Sequence, residues 1–264
     1  MYKDKLLFSQ EFQAYIMQEA EKRKKAEELF PSFKNLSSEK VLNLAVDKFR
    51  GKLAFASSLG LEDQVITDII AKNKLDIPIF TLDTGRFFNE TYELIEKTEK
   101  HYALKISVYF PEPSDIENMV RNFGVNLFYE SAEKRKYCCA QRKVKPLRRA
   151  LSGLSAWICG LRREQSITRS GLEVIEWDEG NNLVKINPLT DWTEEKVKDY
   201  ITENKVPYNP LHDRGFISIG CACCTRAVKP GEHPRSGRWW WEAPEQKECG
   251  LHIVNGRLER IIKS

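Results

Sequence analysis

Leu53-Ala54-Phe55-Ala56-Ser57-Ser58-Leu59-Gly60 passes within one short stretch from an apolar run to a Ser/Gly turn. The run suits a buried parallel strand. Beyond it, Leu61, Val65, Ile69 and Ile70 recur at helical spacing. A strand, a small polar turn and a helix together present backbone N–H groups and hydroxyls at a helix N-terminus, where an anion is readily held. Many α/β proteins carry such a turn, so alone it decides little about function. No Gly-Lys-Ser/Thr closes it, which excludes a Walker A loop.

Outward from this stretch the pattern repeats. Ile77 to Thr81 reads as a second strand ending in Leu82-Asp83-Thr84-Gly85, with a helix from Asn89 to His101 after it. Leu104 to Phe110 reads as a third strand, and Ser114-Asp115 as the cap of a helix through Val120. Ala156-Trp157-Ile158-Cys159 is a further buried run, closing in a cationic loop from Gly160 to Arg169. Leu172–Trp177 and Leu183–Ile186 flank a Gly/Asn turn and predict a hairpin. Thr193 to Glu203 predicts a charged helix. Upstream, residues 10–29 and Val41 to Phe49 predict two helices, the second opened by Ser38-Glu39. The alternation predicts an α/β fold, a mostly parallel sheet with helices on both faces. Ligands of such sheets bind beyond the carboxyl ends of the strands. Three segments follow: N-terminal helices packed on the core over 1–50, an α/β nucleotide-binding core over 51–219, and a loop-rich segment over 220–264.

The chain has 264 residues, 41% hydrophobic and 30% charged, with a net charge of +4. This is an ordinary globular composition whose mild basicity fits an anionic small molecule and does not demand nucleic acid. The N-terminal apolar run, Leu6-Leu7-Phe8, is too short for a signal-peptide core, and no stretch approaches the roughly 18 apolar residues of a membrane span. A cytoplasmic protein without a membrane partner is expected, and assembly into a homo-oligomer is compatible with the composition. Seven cysteines then point to metal or redox chemistry rather than a disulfide framework.

Those cysteines fall into groups. Cys138-Cys139 is vicinal, and Cys221-Ala222-Cys223-Cys224 offers a C-x2-C spacing through its outer members. Adjacent side chains diverge, so Cys138 and Cys139 reach two corners of a [4Fe–4S] cube more readily than they share one zinc ion. Zinc and plainly buried thiols are the other readings, and Cys223 competes with Cys221 or Cys224 as a ligand. Cys159, in an apolar strand, reads as a core residue. Cys249 stands alone in Lys247-Glu248-Cys249-Gly250, a polar setting that suits a nucleophile meeting two partners in turn. Arg235 and Arg238 can face one anion, and Trp239 to Trp241 beside them read as a packed lid.

From Leu53 to His252 the chain resembles the assimilatory adenylyl-sulfate (APS) reductases of the iron–sulfur type, within the wider APS/PAPS reductase family. The resemblance rests on SSLG (57–60), LDTGRFFNET (82–91), YCCAQRKVKPL (137–147), GLRREQSITR (160–169), NPLTDW (187–192), GCACCT (220–225), GRWWWE (237–242) and KECGLH (247–252). It implies an adenine-nucleotide α-hydrolase-like fold with a modified pyrophosphate loop. It also implies a [4Fe–4S] cluster on Cys138, Cys139, Cys221 and Cys224, a lysine, Lys143, between cluster and substrate, and Arg169, Arg235 and Arg238 on the phosphosulfate. The nucleotide would meet Ser57, Ser58, Gly60, Leu82, Gly160 and Arg162 at three strand ends.

The reaction this implies is thioredoxin-dependent reduction of APS to sulfite and AMP. Cys249 attacks the sulfuryl sulfur, leaving an S-sulfocysteine, and thioredoxin or a similar dithiol releases sulfite. The nearest alternative is the same chemistry on PAPS, which carries an extra 3′-phosphate. More remote are an ATP-dependent thiolation enzyme, which needs a fuller pyrophosphate loop than Ser57–Asp63, and a non-catalytic zinc or nucleic-acid-binding module.

Overall fold

A computed structural model describes residue 17, residues 19–165 and residues 171–242, apart from the side chains of Pro234 and Arg235. Six strands form one sheet: β1 (Leu53–Ala56), β2 (Ile79–Leu82), β3 (Ile106–Tyr109), β4 (Ala156–Ile158), β5 (Ile175–Asp178) and β6 (Leu183–Ile186). Their order is β3-β2-β1-β4-β6-β5, parallel throughout except for β5, which joins β6 antiparallel. The predicted hairpin is therefore present, its first strand starting at Ile175 rather than Leu172.

Strand alternation sends side chains to two different cores. Leu53, Phe55, Ala156 and Ile158 enter the larger one, whereas Ala54 and Trp157 enter the other. On the larger side lie residues 19–27 (α1), α2 (Ser38–Phe49), α3 (Leu61–Lys72), α4 (Asn89–Tyr102) and α8 (Glu194–Asn204), contributing among others Ala26, Val41, Ile66, Leu94 and Val197. The opposite side is covered by α7 (Lys145–Leu151) through Leu147, Ala150 and Leu151. The N-terminal helices thus complete the main core.

Helix starts differ slightly from the sequence reading. The hydroxyl cap of α2 is Ser37, whose side chain accepts from the Lys40 N–H, and Ser38 already lies within the helix. The helix expected behind Ser114 begins at Pro113 (α5, Pro113–Phe123): proline at a first helical position needs no N–H partner. Thr193 caps α8 as expected. Between α6 (Ala132–Cys139) and α7 the helix widens into a π turn over Ala140–Val144, which rotates the residues after the vicinal cysteines relative to those before them.

β1 leads outward through β2 to β3, and the chain then returns to set β4 on the other side of β1. The carboxyl ends of β1 and β4 therefore bracket the switch point, where α/β sheets bind ligands.

Candidate active site

A cavity of about 240 Å³ opens at that switch point. Ser57 and Ser58 line it after β1, Leu82 at the end of β2 and Thr84 beyond it, and Gly160 and Leu161 after β4. Trp157, Phe80 and Leu147 supply apolar walls of the kind a purine needs. The loops are tied together by Asp63, in the first turn of α3. Its carboxylate accepts from the Ser58 N–H and the Ser58 hydroxyl, both at 2.6 Å, and from the Gly160 N–H. Burial pushes the Asp63 pKa up to about 6 against the pull of these donors. A Cβ at residue 160 would lie 2.2 Å from Asp63 Oδ1, so only glycine fits there. Gly60 is the N-cap of α3, and its carbonyl accepts from the Gln64 N–H. Arg162 is buried and committed: its Nε donates to Glu62 at 2.8 Å and its Nη1 to the Trp192 carbonyl at 3.3 Å.

A second cavity adjoins the first. Cys138 and Cys139 at the end of α6 line it together with Cys221, Cys223 and Cys224 from a short 3-10 turn. Pairs more than eighty positions apart in sequence thus meet in one place. The loop after β2 holds them together. Thr84 Oγ1 lies 3.2 Å from Cys221 Sγ, the Ala222 N–H donates to the Arg86 carbonyl, and Arg142 Nη1 donates to the Thr84 carbonyl at 2.6 Å. Downstream, Glu242 takes two 2.8 Å hydrogen bonds from Arg135 on α6, both side chains being almost fully buried. Two guanidinium groups lie over the Trp239 ring, Arg135 at 4.3 Å and Arg238 at 4.8 Å from its centroid.

Five cations, Arg86, Arg135, Arg142, Lys143 and Arg238, line the thiol cavity. Burial raises the Cys138 thiol pKa. The hydrogen bond between Cys224 and Cys223, with Arg86 nearby, pulls Cys223 down to about 6, and the same bond and burial push Cys224 up. Among the described residues, no three His, Cys, Asp or Glu side chains converge tightly enough to be recognised as a single-ion site. The donor chemistry nevertheless fits a larger thiolate-held anionic group. Arg142 Nε and Arg238 Nε are buried donors without an acceptor among the described residues, and both residues line this cavity.

The phosphoadenosine phosphosulfate reductase domain family matches residues 52–227, which carry every lining residue of both cavities except Arg238 and Trp239. The chain belongs to the APS/PAPS reductase family, in its APS reductase branch. An adenosine 5′-phosphosulfate reductase from Allochromatium vinosum is 56% identical over 76% of this chain and 78% of its own length. One from Rhizobium meliloti is 54% identical over 77% of each. Among solved structures, a phosphoadenylyl-sulfate (PAPS) reductase from Candida auris in a phosphate complex superposes with a TM-score of 0.65. It is 33% identical, covering 77% of this chain and 96% of that one.

In this reductase fold Ser57, Ser58, Leu82, Gly160, Lys143 and Arg238 gather around the nucleotide-sized cavity. Cys138, Cys139, Cys221 and Cys224 gather around its neighbour. Lys143, Arg238 and Trp239 line both and form the wall between them. Trp239 is thus a wall at the centre of the site, whereas Trp240 is exposed. Cys159 is buried, as expected of a core residue, yet it also lines the nucleotide-sized cavity and donates to Asn187 Oδ1 at 3.0 Å. Arg169 and Cys249 lie outside the described residues, as does the Arg235 side chain. The sequence reading missed Asp63, Arg86, Arg142 and the Arg135–Glu242 pair. Asp63 had a usable signal, an acid in the first turn directly after a Ser/Gly loop. Arg135 and Glu242, 107 positions apart, had none.

Proposed function

We propose that the chain reduces adenylyl sulfate to sulfite and AMP in sulfate assimilation, with Cys249 as nucleophile and a dithiol of the thioredoxin type as reductant. The observation that carries this reading is the shared wall: Lys143 and Arg238 face both the nucleotide-sized cavity and the thiol cavity. Cationic side chains there meet the phosphosulfate of a nucleotide whose purine lies toward Trp157 and Leu161, and the names of the bacterial relatives support APS as that nucleotide. Arg169 and Arg235 join them as phosphosulfate ligands. Ser57, Ser58, Gly60, Leu82 and Gly160 shape the nucleotide end, with Arg162 bracing its loop against Glu62.

In the first step the Cys249 thiolate attacks the sulfuryl sulfur. A sulfur–sulfur bond forms, the sulfur–oxygen bond to AMP breaks, and AMP leaves with the electron pair. Guanidinium and ammonium groups neutralise the anionic substrate so that a thiolate can approach. In the second step one thiol of the reductant attacks Cys249 Sγ from the S-sulfocysteine, and sulfite leaves with the pair. The reductant's second thiol then closes its own disulfide and returns the Cys249 thiol. Both electrons come from the dithiol.

Cys138, Cys139, Cys221 and Cys224 would hold a [4Fe–4S] cluster. When bound, such a cluster cross-links the two cysteine segments and sets a fixed charge beside Lys143. Thiolate ligands and a dithiol reductant both belong to a reducing compartment, and a cytoplasmic location is part of the proposal.

The test is a Cys249→Ser variant purified anaerobically. Sulfite release should fall by roughly 10³-fold or more, with AMP binding and iron content unchanged; turnover near that of the wild type would remove Cys249 from the mechanism. A second reading, PAPS as substrate, draws on the Candida auris neighbour. Comparing kcat/KM on the two nucleotides decides between them, and a strong preference for PAPS would reverse the assignment.

A further inference from the structure

Five thiols line a cavity for which a cube offers four corners, and the fifth has a definite place. Cys223 Sγ lies 3.8 Å from Cys224 Sγ. Cys221 instead lies against Thr84 Oγ1 at 3.2 Å, on the side of the loop after β2. A metal–thiolate bond is about 2.3 Å long, so two sulfurs closer than about 4.6 Å share metal positions that either can bond without backbone movement. Cys223 and Cys224 satisfy this condition. Their backbone is pinned on both residues: the Cys223 carbonyl accepts from the Tyr129 hydroxyl at 2.8 Å, and the Cys224 carbonyl accepts from the Trp239 N–H at 3.2 Å. Both sulfurs are therefore held beside the same cavity by contacts that do not depend on which of them is a ligand.

We propose that Cys223 is a second, interchangeable ligand for the cluster corner assigned to Cys224. The inference rests on the iron–sulfur reading above. The exchange replaces one thiolate by another at the same iron. The incoming thiol gives up its proton and the outgoing thiolate takes one, so neither net charge nor oxidation state changes. The other three corners are assigned to Cys138, Cys139 and Cys221.

The experiment is a set of alanine variants, because a serine oxygen can itself hold iron. Iron and acid-labile sulfide per chain are measured on anaerobically purified protein, with the cluster's visible absorbance as a second readout. Cys223→Ala and Cys224→Ala should each keep most of the wild-type iron. Cys223→Ala/Cys224→Ala should lose most of it, as should Cys138→Ala. Where Cys224→Ala does not fold by far-UV circular dichroism, Cys224→Val and Cys223→Ala/Cys224→Val carry the same comparison with a side chain that cannot hold iron. A single Cys224 variant as depleted as the double variant overturns the proposal, and so does a double variant that keeps its iron. Wild-type protein without iron would instead overturn the cluster reading itself.

Discussion

The two cavities share one wall and are built in opposite ways. The nucleotide-sized cavity is assembled from strand ends, each part of it within a few residues of the strand that positions it. Its central buried carboxylate, Asp63, is matched donor for donor by Ser58 and Gly160. The thiol cavity is assembled from segments that are remote in sequence. It is lined by five cations, and Arg142 Nε, together with Arg238 Nε on the shared wall, is a buried donor without an acceptor among the described residues. Buried donors cost stability when unmatched: an anionic occupant of the thiol cavity would match Arg142 Nε, whereas the group left unmatched on the nucleotide side alone among the described residues is a neutral hydroxyl, Thr81 Oγ1. One half of the site follows from the sheet. The other needs a clamp.

Arg135 and Glu242 are that clamp, and removing one partner should have the largest effect. Glu242→Ala leaves the buried Arg135 guanidinium without its carboxylate, at a cost of about 3–5 kcal/mol. Thermal unfolding should register the loss, and iron retention should fall while AMP still binds. Arg135→Met/Glu242→Leu, which removes both charges, should recover most of the stability. If AMP binding collapses together with the iron, the two halves do not differ in the way described.

The complementary probe lies in the nucleotide half. Asp63 has its pKa raised from 3.8 to about 6 in the folded protein, so the native state binds this proton more tightly than the unfolded chain does. Its contribution to stability is therefore fully present below the unfolded value and is lost as pH rises through the folded one. The span corresponds to at most about 3 kcal/mol. Asp63→Asn should abolish this dependence: the stability difference between variant and wild type should shift in the variant's favour from pH ~4 to pH ~7. A difference that stays constant over that window would mean that Asp63 is not held against ionisation.

The same contrast decides what could be read from the sequence. Strands announce themselves by apolar runs closed by small or charged turns, so the parallel sheet and the loops after β1, β2 and β4 were legible. Helix starts shifted by a residue where Ser37 rather than Ser38 supplied the cap. Family motifs brought Cys138, Cys139, Cys221 and Cys224 to one site before any geometry was known. Ion pairs over long separations leave no periodic trace, which hid Arg135 and Glu242. A π turn is likewise invisible to a pattern of 3.6 residues per turn, and it lies directly after the vicinal cysteines, over Arg142 and Lys143. Even the position of Cys223 depended on geometry: spacing left it between two neighbours, and a 3.8 Å separation attached it to one.

Lys143 gives the finest test, because it lies on the wall itself and belongs to both halves. Lys143→Ala deletes one cation at the place assigned to the phosphosulfate and leaves Arg238 there. Loss of one preorganised electrostatic contact of this kind costs about a hundredfold in kcat/KM, or about 2.7 kcal/mol. AMP lacks the sulfuryl group, so its affinity should change far less than kcat/KM for APS. Iron content should stay at the wild-type level, since Lys143 is not a thiolate ligand. Arginine at this position would keep the charge but place it on a planar, bulkier group, and should restore only part of the rate. Should AMP affinity fall as far as kcat/KM, Lys143 would belong to the nucleotide half alone. Should the iron be lost, it would belong to the cysteine half. Only a fall in kcat/KM that spares both leaves the wall as the place where the two halves act on one substrate.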